Sequence, residues 1–449
     1  MTDWYWECIK GHFSAQTVWE RLFATAPIST VLEDCSNFSI VAGNPLQTWQ
    51  PSLGSVLDCL GQVLVGQALV QQALVRQAHQ TGVVPNYLPF TGGYLGWFGY
   101  DLAWEIENLP YLKQDDLPFP VAFWYEPQEF IVIDHQRREL WLATTNPQAL
   151  PELVTKIQQP LNLEFPPAEC GEITFIPDRS AFCRMVEIAK QHIAKGDIFQ
   201  ANLSVRFTTT YGGSGWQIYR RLHQINPSPF ACYWRTPWGE IISCSPERLL
   251  RIRDNIAETR PIAGTVPKTA DPQFDAQALL NSCKDVAEHI MLVDLERNDL
   301  GKVCRWGTVE VNELLVQEYY SHVVHLVSNV RGEIRPECSW VDVVKAVFPG
   351  GTITGCPKVR AMEIIETLEP QRRSLFYGSC GYLDRRGYLD LNILIRTMLK
   401  HNDRVWGQVG AGIVADSDPP KEWLESLQKA KAQISALHCS LLPHHGISR

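Results

Sequence analysis

Residues 380–417 constrain the fold most strongly, because they read as three consecutive strands with very short connections. Turns at Arg385–Gly387 and His401–Asp403 separate runs of alternating apolar and polar residues. Such alternation is typical of strands with one buried face, and turns this short join neighbouring antiparallel strands. Residues 121–145 and 230–265 show the same pattern. The chain is therefore expected to build an extensive antiparallel sheet.

Helical segments are predicted between these strands. Residues 56–78, 180–196 and 284–301 repeat apolar side chains at intervals of three and four positions. This is the periodicity of amphipathic helices. Helices interspersed among antiparallel strands pack on the outside of the sheet, so the sequence predicts an α+β protein.

Composition and charge exclude several functional classes. The chain has 449 residues, of which 45% are hydrophobic and 20% charged, as is ordinary for a globular enzyme. A net charge of −9 and a pI near 5.8 argue against general nucleic-acid binding. No apolar run approaches the length of a membrane span, and the N-terminus does not resemble a signal peptide. The 13 cysteines include no CxxC pair, which predicts free thiols and a cytoplasmic location.

Two predicted helices each carry two acids spaced three residues apart. Asp285 and Glu288 lie within residues 284–301, and Glu422 and Glu425 lie near the C-terminus. Acids with this spacing point the same way, so two such helices facing each other would hold one Mg2+ ion through carboxylate oxygens. Two solvated helix faces are the alternative. The apolar neighbours HIMLV and WLESL favour partly buried helices instead.

Nine motifs are spread over residues 175–435: GDIFQANLS, SPERL, RPIAGT, KDVAEHIMLVDLERNDLG, HVVHLVS, FPGGTITGCPKVRAMEII, YGSCGYL, DLNILIRT and GAGIVADSDPPKEW. Together they resemble the chorismate-utilising enzymes, which include the large, ammonia-using subunits of aminodeoxychorismate synthase and anthranilate synthase. Isochorismate and salicylate synthases are more distant members. The first half of the chain resembles these enzymes through VLED and PFTGGYLGWFGYDL.

The resemblance implies a fold and a domain organisation. The expected fold is an α+β sandwich of two antiparallel sheet layers with helices packed outside, and the active site lies in a cleft between the layers. Residues 1–160 correspond to an N-terminal region and residues 175–438 to the chorismate-binding catalytic region. Both regions are expected to belong to one intertwined globular unit.

The resemblance also assigns roles to charged residues. Glu288 and Glu425 are implied as Mg2+ ligands, with Asp285 and Glu422 behind them. Chorismate is a dicarboxylate, so its second carboxylate needs a cation and hydrogen-bond donors. The residues implied there are Arg396, Tyr377, Gly410, Ala411, Gly412 and Lys429. Taken alone, Arg396 also fits an ordinary strand arginine paired with an acid.

Expulsion of the C4 hydroxyl of chorismate requires an acid. Glu247 in SPERL matches the general acid of the family, and His325 in HVVHLVS matches a histidine that steadies the leaving oxygen. Thr265 and Thr352 are expected to donate hydroxyl hydrogen bonds. SPE is also a common turn sequence, and taken alone it would usually be structural.

Two positions separate the reactions within the family. Water-adding members carry a lysine where this chain has Gln200, and glutamine cannot act as a base, so ammonia is the expected nucleophile. Many aminodeoxychorismate synthases carry a nucleophilic lysine where this chain has Ala263. Anthranilate synthases carry alanine there, so Ala263 taken alone favours anthranilate synthase.

Other features favour the aminodeoxychorismate branch. The chain is short for an anthranilate synthase large subunit, and FTGGYLGWFGYDLAWEIENLP and DLNILIRT resemble that branch more closely. The tryptophan pocket of anthranilate synthases corresponds here to Leu32, Glu33, Asp34 and Pro229. Asp34 replaces a serine and Ala231 replaces a methionine of that pocket. The sequence is compatible with a tryptophan pocket, and these two replacements weigh against feedback control.

The predicted function is therefore Mg2+-dependent amination of chorismate to 4-amino-4-deoxychorismate. Anthranilate synthase component I is the alternative, and a non-catalytic chorismate-binding protein is a third interpretation. The sequence contains no Gly-x-Cys-x-Gly nucleophile turn of a glutaminase. Ammonia is thus expected from a separate glutamine amidotransferase subunit, component II. Neither nucleic acid nor a membrane is expected as a partner.

Overall fold

The computed structural model describes residues 4–34, 37–61, 84–160, 165–166, 168–267, 283–319 and 323–437, and the backbone alone for residues 263, 265–267, 283–285 and 323. Residues 56–61 are helical, as predicted, while the rest of the predicted helix 56–78 lies outside the described residues. The side chains of Ala263, Thr265 and Asp285 also lie outside them.

The described strands alternate with helices along the whole chain. In the first half the strands are β1 (Tyr5–Lys10), β2 (Ser29–Glu33), β3 (Phe38–Trp49), β4 (Gly93–Phe98), β5 (Ala122–Asp134) and β6 (Glu139–Thr144). In the second half they are β7 (Thr174–Ile176), β8 (Gln200–Thr210), β9 (Phe230–Thr236), β10 (Gly239–Ser245), β11 (Arg248–Arg253), β12 (Ile256–Arg260), β13 (Ile262–Pro267), β14 (Glu310–Tyr319), β15 (Val323–Glu333), β16 (Gly355–Cys356), β17 (Ser379–Asp384), β18 (Leu389–Asn392), β19 (Thr397–His401) and β20 (Arg404–Ile413). The helices are α1 (Ala15–Leu22), α2 (Ala103–Ile106), α3 (Leu150–Gln158), α4 (Arg179–Ala194), α5 (Gly215–Ile225), α6 (Cys283–Gly301), α7 (Trp340–Val347), α8 (Lys358–Leu368) and α9 (Pro419–Ala436).

Strand pairing is antiparallel throughout the described residues and follows two paths that start at β5. One path runs from β5 through β3, β2, β9, β10, β19 and β20 to β8. The other runs from β5 through β4, β17, β18, β11 and β12 to β15. The predicted turns near residues 385–387 and 401–403 join β17 to β18 and β19 to β20, which confirms both hairpins.

The two paths form the facing layers of a sandwich. Trp97 on β4 packs edge-on against Trp234 on β9, with ring centroids 5.6 Å apart. Cys232 on β9 and Cys380 on β17 bring their Sγ atoms to 3.4 Å. All four side chains are buried in one hydrophobic core. The predicted antiparallel sandwich is confirmed.

Helices cover the outer faces of both layers. Helices α4 and α9 pack together and against β8 and β20, and Phe182 of α4 contacts Trp423 of α9 with ring centroids 5.6 Å apart. Helix α6 packs against β13 and β15 of the second layer. The two helices with the paired acids, α6 and α9, therefore lie on different layers.

The cysteine prediction holds for most described positions. Nine described cysteines form no disulfide. Cys170 is disulfide-bonded, so the prediction is wrong there, because spacing along the sequence does not reveal which residues the fold brings together. No helix within the described ranges is long and apolar enough to cross a bilayer.

Candidate active site

Several of the predicted site residues lie where β20 ends beside the start of β8. Gly412 on β20 lies opposite Asn202 on β8. A Cβ atom at Gly412 would lie 2.4 Å from Nε2 of Gln200 and 3.0 Å from Oε1 of Glu288. A side chain at this position would displace both groups, so glycine is required by close approach of its neighbours.

Gln200 and Glu288 are in direct contact. Nε2 of Gln200 donates to Oε1 of Glu288 at 2.7 Å, which joins the start of β8 to helix α6. The Gln200 side chain is 2% exposed. Its other amide atom, Oε1, is buried without a well-formed hydrogen bond to any described residue.

The second pair of acids lies at the other end of the same glycine segment. Glu425 is paired with Lys429 on α9 at 2.8 Å, and its side chain is 49% exposed. Nζ of Lys429 also donates to the carbonyl oxygen of Gly410 at 3.0 Å. Glu288 therefore borders Gly412 and the Glu425–Lys429 pair borders Gly410. Gly410 and Gly412 are two residues apart along β20, a distance of about 7 Å.

The fit of this site to Mg2+ depends on the donor set. Among the described side chains no group of three or more His, Cys, Asp or Glu is arranged to hold a metal ion. Mg2+ needs only one or two protein carboxylates when waters and an anionic substrate complete its shell. Glu288 and Glu425 offer such hard oxygen donors beside the glycine segment, and Glu422, three residues before Glu425 on α9, is buried. The residues present therefore fit the ion.

Arg396, which contacts Lys429, and Tyr377, which lies beside Gly410, have unusual backbones. Arg396 has φ +52° and Tyr377 has φ +64°, a left-handed conformation that non-glycine residues seldom adopt. Nη1 of Arg396 donates to the carbonyl oxygen of Lys429 at 2.6 Å. A Cβ atom at Gly410 would lie 3.0 Å from the Tyr377 hydroxyl. Burial raises the pKa of the Tyr377 phenol well above its usual range, so the hydroxyl remains a hydrogen-bond donor.

Glu247 occupies the bend between β10 and β11. Its side chain is 4% exposed, and its backbone carbonyl accepts a hydrogen bond from the Ile393 amide at 3.0 Å. Burial raises the pKa of Glu247 to about 7, although the Thr352 hydroxyl and the Ile262 amide favour the charged form. Glu247 is thus poised to give or take a proton near neutral pH.

His325 is held neutral on β15. Its backbone pairs with that of Thr265 on β13. Burial, followed by the nearby positive charge of Arg396, lowers the pKa of His325 to about 4. A neutral imidazole can still donate one hydrogen bond to an oxygen atom. Ala263 pairs with Leu326 in the same ladder.

Several buried polar atoms of this region lack a well-formed hydrogen bond. Nδ2 of Asn202 donates to the Thr352 carbonyl at 3.3 Å, which links β8 to the turn beside Glu247. An unpaired buried polar atom costs about 1–3 kcal/mol, so a cluster of them indicates a site built for a polar ligand. The atoms without a well-formed hydrogen bond to a described residue include Gln200 Oε1, Asn202 Oδ1, Glu247 Oε1, Thr352 Oγ1 and Tyr377 Oη.

Sequence reasoning missed two residues of this region. Asn202 lies two positions after Gln200, and the period of two along a strand places both on one face of β8. Glu296 lies on α6 two helical turns after Glu288, in the same apolar-flanked stretch. Burial raises the pKa of Glu296 to about 8, and the nearby charge of Glu247 adds to the shift. Strand and helix periodicity were the signals that would have found them.

A separate cavity of about 340 Å3 collects the four residues assigned to a tryptophan pocket, Leu32, Glu33, Asp34 and Pro229. Arg248 and Arg251 also line it, and Arg248 is paired with Asp390 at 2.9 Å. Oε2 of Glu33 accepts a hydrogen bond from the Tyr219 hydroxyl at 2.6 Å. None of the predicted catalytic residues lines this cavity.

Comparison with known proteins identifies the family of this chain. A family model described as chorismate binding enzyme matches residues 53–435. An anthranilate synthase component I-like protein of Synechocystis sp. is 52% identical, over 97% of this chain and 92% of its own length. Aminodeoxychorismate synthase component 1 of Bacillus subtilis is 44% identical, over 78% of each chain. The crystal structure of anthranilate synthase component I from Streptococcus pneumoniae superposes with a TM-score of 0.77 at 31% identity, covering 88% of this chain and 92% of that one.

Proposed function

This chain belongs to the chorismate binding enzyme family, and from that premise we propose that it aminates chorismate to 4-amino-4-deoxychorismate. It is a chorismate-utilising enzyme of the aminodeoxychorismate synthase and anthranilate synthase component I type. The product, the metal and the ammonia source are the proposed parts. The observation that carries the proposal is the buried Glu247, whose pKa is raised to about 7, beside Thr352 in a region where several buried polar atoms lack well-formed hydrogen bonds.

The geometry supports a different role for each group of residues in binding the two carboxylates of chorismate. Arg396 and Lys429 offer positive charge for one carboxylate, and the protonated Tyr377 hydroxyl offers a hydrogen bond. Glu288 and Glu425 would hold Mg2+, which would neutralise the other carboxylate.

Proton transfer is assigned to Glu247. A carboxyl with a pKa near 7 retains its proton for a large fraction of the time at neutral pH, so it can protonate the C4 hydroxyl as that group leaves. The neutral imidazole of His325 would donate a hydrogen bond to the same oxygen. Gln200 cannot accept a proton as a lysine does, which favours ammonia over water as the nucleophile. We propose that a separate glutamine amidotransferase supplies the ammonia.

Anthranilate is the second candidate product. A small residue at position 263 leaves room for ammonia to attack C2 directly, and the relative from Synechocystis and the structure from Streptococcus pneumoniae are named for that reaction type. The motifs of the first half and the relative from Bacillus subtilis favour the C4 amine. In our proposal, ammonia or water takes the place of the absent lysine: it adds at C2 as the protonated C4 hydroxyl leaves as water, and it is expelled from C2 when ammonia attacks C4.

One incubation distinguishes the products. The purified chain is mixed with chorismate, Mg2+ and an ammonium salt at high pH, and the products are resolved by mass and fluorescence. A product that retains the enolpyruvyl group supports the proposal. Anthranilate with equimolar pyruvate would show the alternative, and unchanged chorismate would indicate a binding protein. Ala263→Lys is expected to preserve turnover if C4 is aminated and to block it if ammonia enters at C2.

We also propose that the 340 Å3 cavity binds tryptophan without feedback inhibition. Its wall retains Leu32, Glu33 and Pro229, whereas Asp34 and Ala231 replace the residues usual in regulated enzymes. Calorimetric titration with tryptophan should detect binding, while turnover of chorismate should not change. Inhibition at saturating tryptophan would contradict the absence of control.

A further inference from the structure

A buried ion pair lies directly beneath the candidate active site. Arg373 and Glu369 are both almost completely buried. Nη2 of Arg373 contacts Oε1 of Glu369 at 2.7 Å, and Nε contacts Oε2 at 3.0 Å, a two-pronged geometry. Neither residue belongs to the chemistry assigned above.

The remaining donors of Arg373 hold two segments of the site. Nη1 donates to the carbonyl oxygen of Ile353 at 2.7 Å, directly after Thr352. Nη2 donates to the carbonyl oxygen of Asn202 at 2.6 Å. Cζ of Arg373 lies 4.7 Å from the ring centroid of Tyr377, within cation–π distance. One guanidinium group therefore contacts the backbone or ring of three segments that present unpaired polar atoms to the site.

Glu369 extends the same contact to β8. Its Oε1 atom accepts hydrogen bonds from both the amide and the hydroxyl of Ser204, each at 2.8 Å. Ser204 lies opposite Gly410 in the β8–β20 ladder. The ion pair thus connects the turn at Thr352, the start of β8 and the ring of Tyr377 through short hydrogen bonds and one ring contact.

Stability alone does not explain such a pair. Replacing a buried ion pair by apolar residues is often neutral or stabilising, because two charges lose their hydration. We propose that Arg373, oriented by Glu369, is a positioning residue that fixes Asn202, Thr352 and Tyr377 for binding of chorismate. The proposal rests on the proposed function, because chorismate is taken as the ligand of these three residues.

The chain offers a matched control in the preceding residue. Arg372 is equally buried, and its Nε donates to Asp101 at 2.8 Å. Its guanidinium lies 4.0 Å from the ring centroid of Trp104. Those contacts lie among α2 and its neighbours and involve none of the residues assigned to chorismate. Arg372→Lys therefore replaces a buried arginine by lysine without removing any contact to the residues of the site.

The experiment compares Arg373→Lys with Arg372→Lys in the full chain. Thermal unfolding gives the folded fraction, and steady-state kinetics gives kcat and KM for chorismate per folded molecule. We expect Arg373→Lys to raise KM and to lower kcat/KM on the order of 10²-fold, because misplacement of about 1 Å is that costly. Arg372→Lys is expected to keep KM within about twofold of wild type while losing similar stability. Equal KM values in both variants would overturn the proposal.

Two further measurements keep the test decisive. If Arg373→Lys does not fold, Ser204→Ala removes one hydrogen bond to Glu369 and should still raise KM several-fold, and an unchanged KM overturns the proposal.

If wild type binds chorismate without consuming it, the proposed function fails, and the Kd for chorismate is measured in place of KM. A Kd weakened by Arg373→Lys but not by Arg372→Lys would support positioning, and equal Kd values would overturn it.

Discussion

Glu247 and Glu296 are ordinary carboxyl groups whose burial changes their chemistry. Glu247 has a pKa raised to about 7 and Glu296 one raised to about 8, and burial is the main cause in both. Water stabilises the charged form of a carboxyl, so its removal favours the proton. Both groups are therefore largely protonated in a pH range where exposed glutamates are ionised.

Glu247 should impose an alkaline limit on turnover. As pH rises through about 7, Glu247 loses the proton that the leaving hydroxyl needs, so kcat/KM should fall about tenfold per pH unit. Rates are measured from pH 6 to 9 and expressed per concentration of free ammonia. Glu247→Gln should lower the rate about 10²–10⁴-fold and abolish the alkaline limb. A normalised rate that rises through pH 8 in wild type would contradict the assignment.

Glu296 should make stability fall as pH rises. Its pKa is about 8 in the folded state and near the ordinary value of 4.5 when unfolded, so between these values the folded state binds more protons. Stability is therefore lost through that window. Glu296→Gln cannot ionise, so at pH 8 it should raise Tm by several degrees relative to wild type and have little effect at pH 4.5. Asp294→Asn, at an exposed acid of the same helix, should show no such trend in thermal unfolding.

The motifs identified the charged residues of the site, but not every neutral residue that lies next to them. Gln200, Glu288 and Glu247 were predicted, and the structure places Gln200 against Glu288 at 2.7 Å. Strand periodicity places Asn202 on the same face of β8 as Gln200, but only the pairing with β20 shows that this face borders the site. A general acid is expected to have a raised pKa, but the burial that raises the pKa of Glu247 could not be predicted, since it depends on residues distant in sequence.

At the scale of elements, two glycines allow two helices and two strands to meet. Helix α6 reaches Gly412 through Glu288, and helix α9 reaches Gly410 through Lys429. The acid spacing predicted that each helix presents its carboxylates on one side. It did not predict that the two helices lie on different sheet layers, because that placement follows from strand pairing.

The two-helix arrangement predicts that Glu288 and Glu425 are both needed to bind Mg2+. Glu288→Gln and Glu425→Gln each remove one negative charge from the proposed Mg2+ site, so each should lower activity on the order of 10²-fold or more. Both variants should also need a higher Mg2+ concentration for half-maximal activity. Asp294→Asn on α6 is the matched control and should retain the Mg2+ dependence of wild type. Either glutamate variant with wild-type Mg2+ dependence would remove that residue from the site.

For the whole molecule, local patterns predicted the class of fold but not which distant strands pair to complete the sandwich. Alternation and short turns indicated hairpins, and the hairpins β17–β18 and β19–β20 are present. The pairing of β4 with β17 joins strands about 280 residues apart, and nothing in either strand specifies that partner. Long-range pairs of this kind are selected by the shared core, in which Trp97 faces Trp234.

Because strands of the two halves pair with each other, residues 175–438 are predicted not to fold alone. β17 pairs with β4 along six residues, and β9 pairs with β2 along five, so residues 175–438 by themselves would expose two long strand edges. Arg385 would also lose its buried partner Glu126, a change that typically costs about 3–5 kcal/mol.

Residues 175–438 should therefore aggregate when expressed alone, as measured by sedimentation and thermal unfolding. Co-expression with residues 1–160 should restore a complex whose unfolding is cooperative, because the missing strands and Glu126 return as a separate chain. Glu126→Gln in that second chain removes the charge opposite Arg385 and should weaken the complex without changing strand pairing. A monomeric, cooperatively unfolding 175–438 fragment would show that the second half carries a complete core of its own.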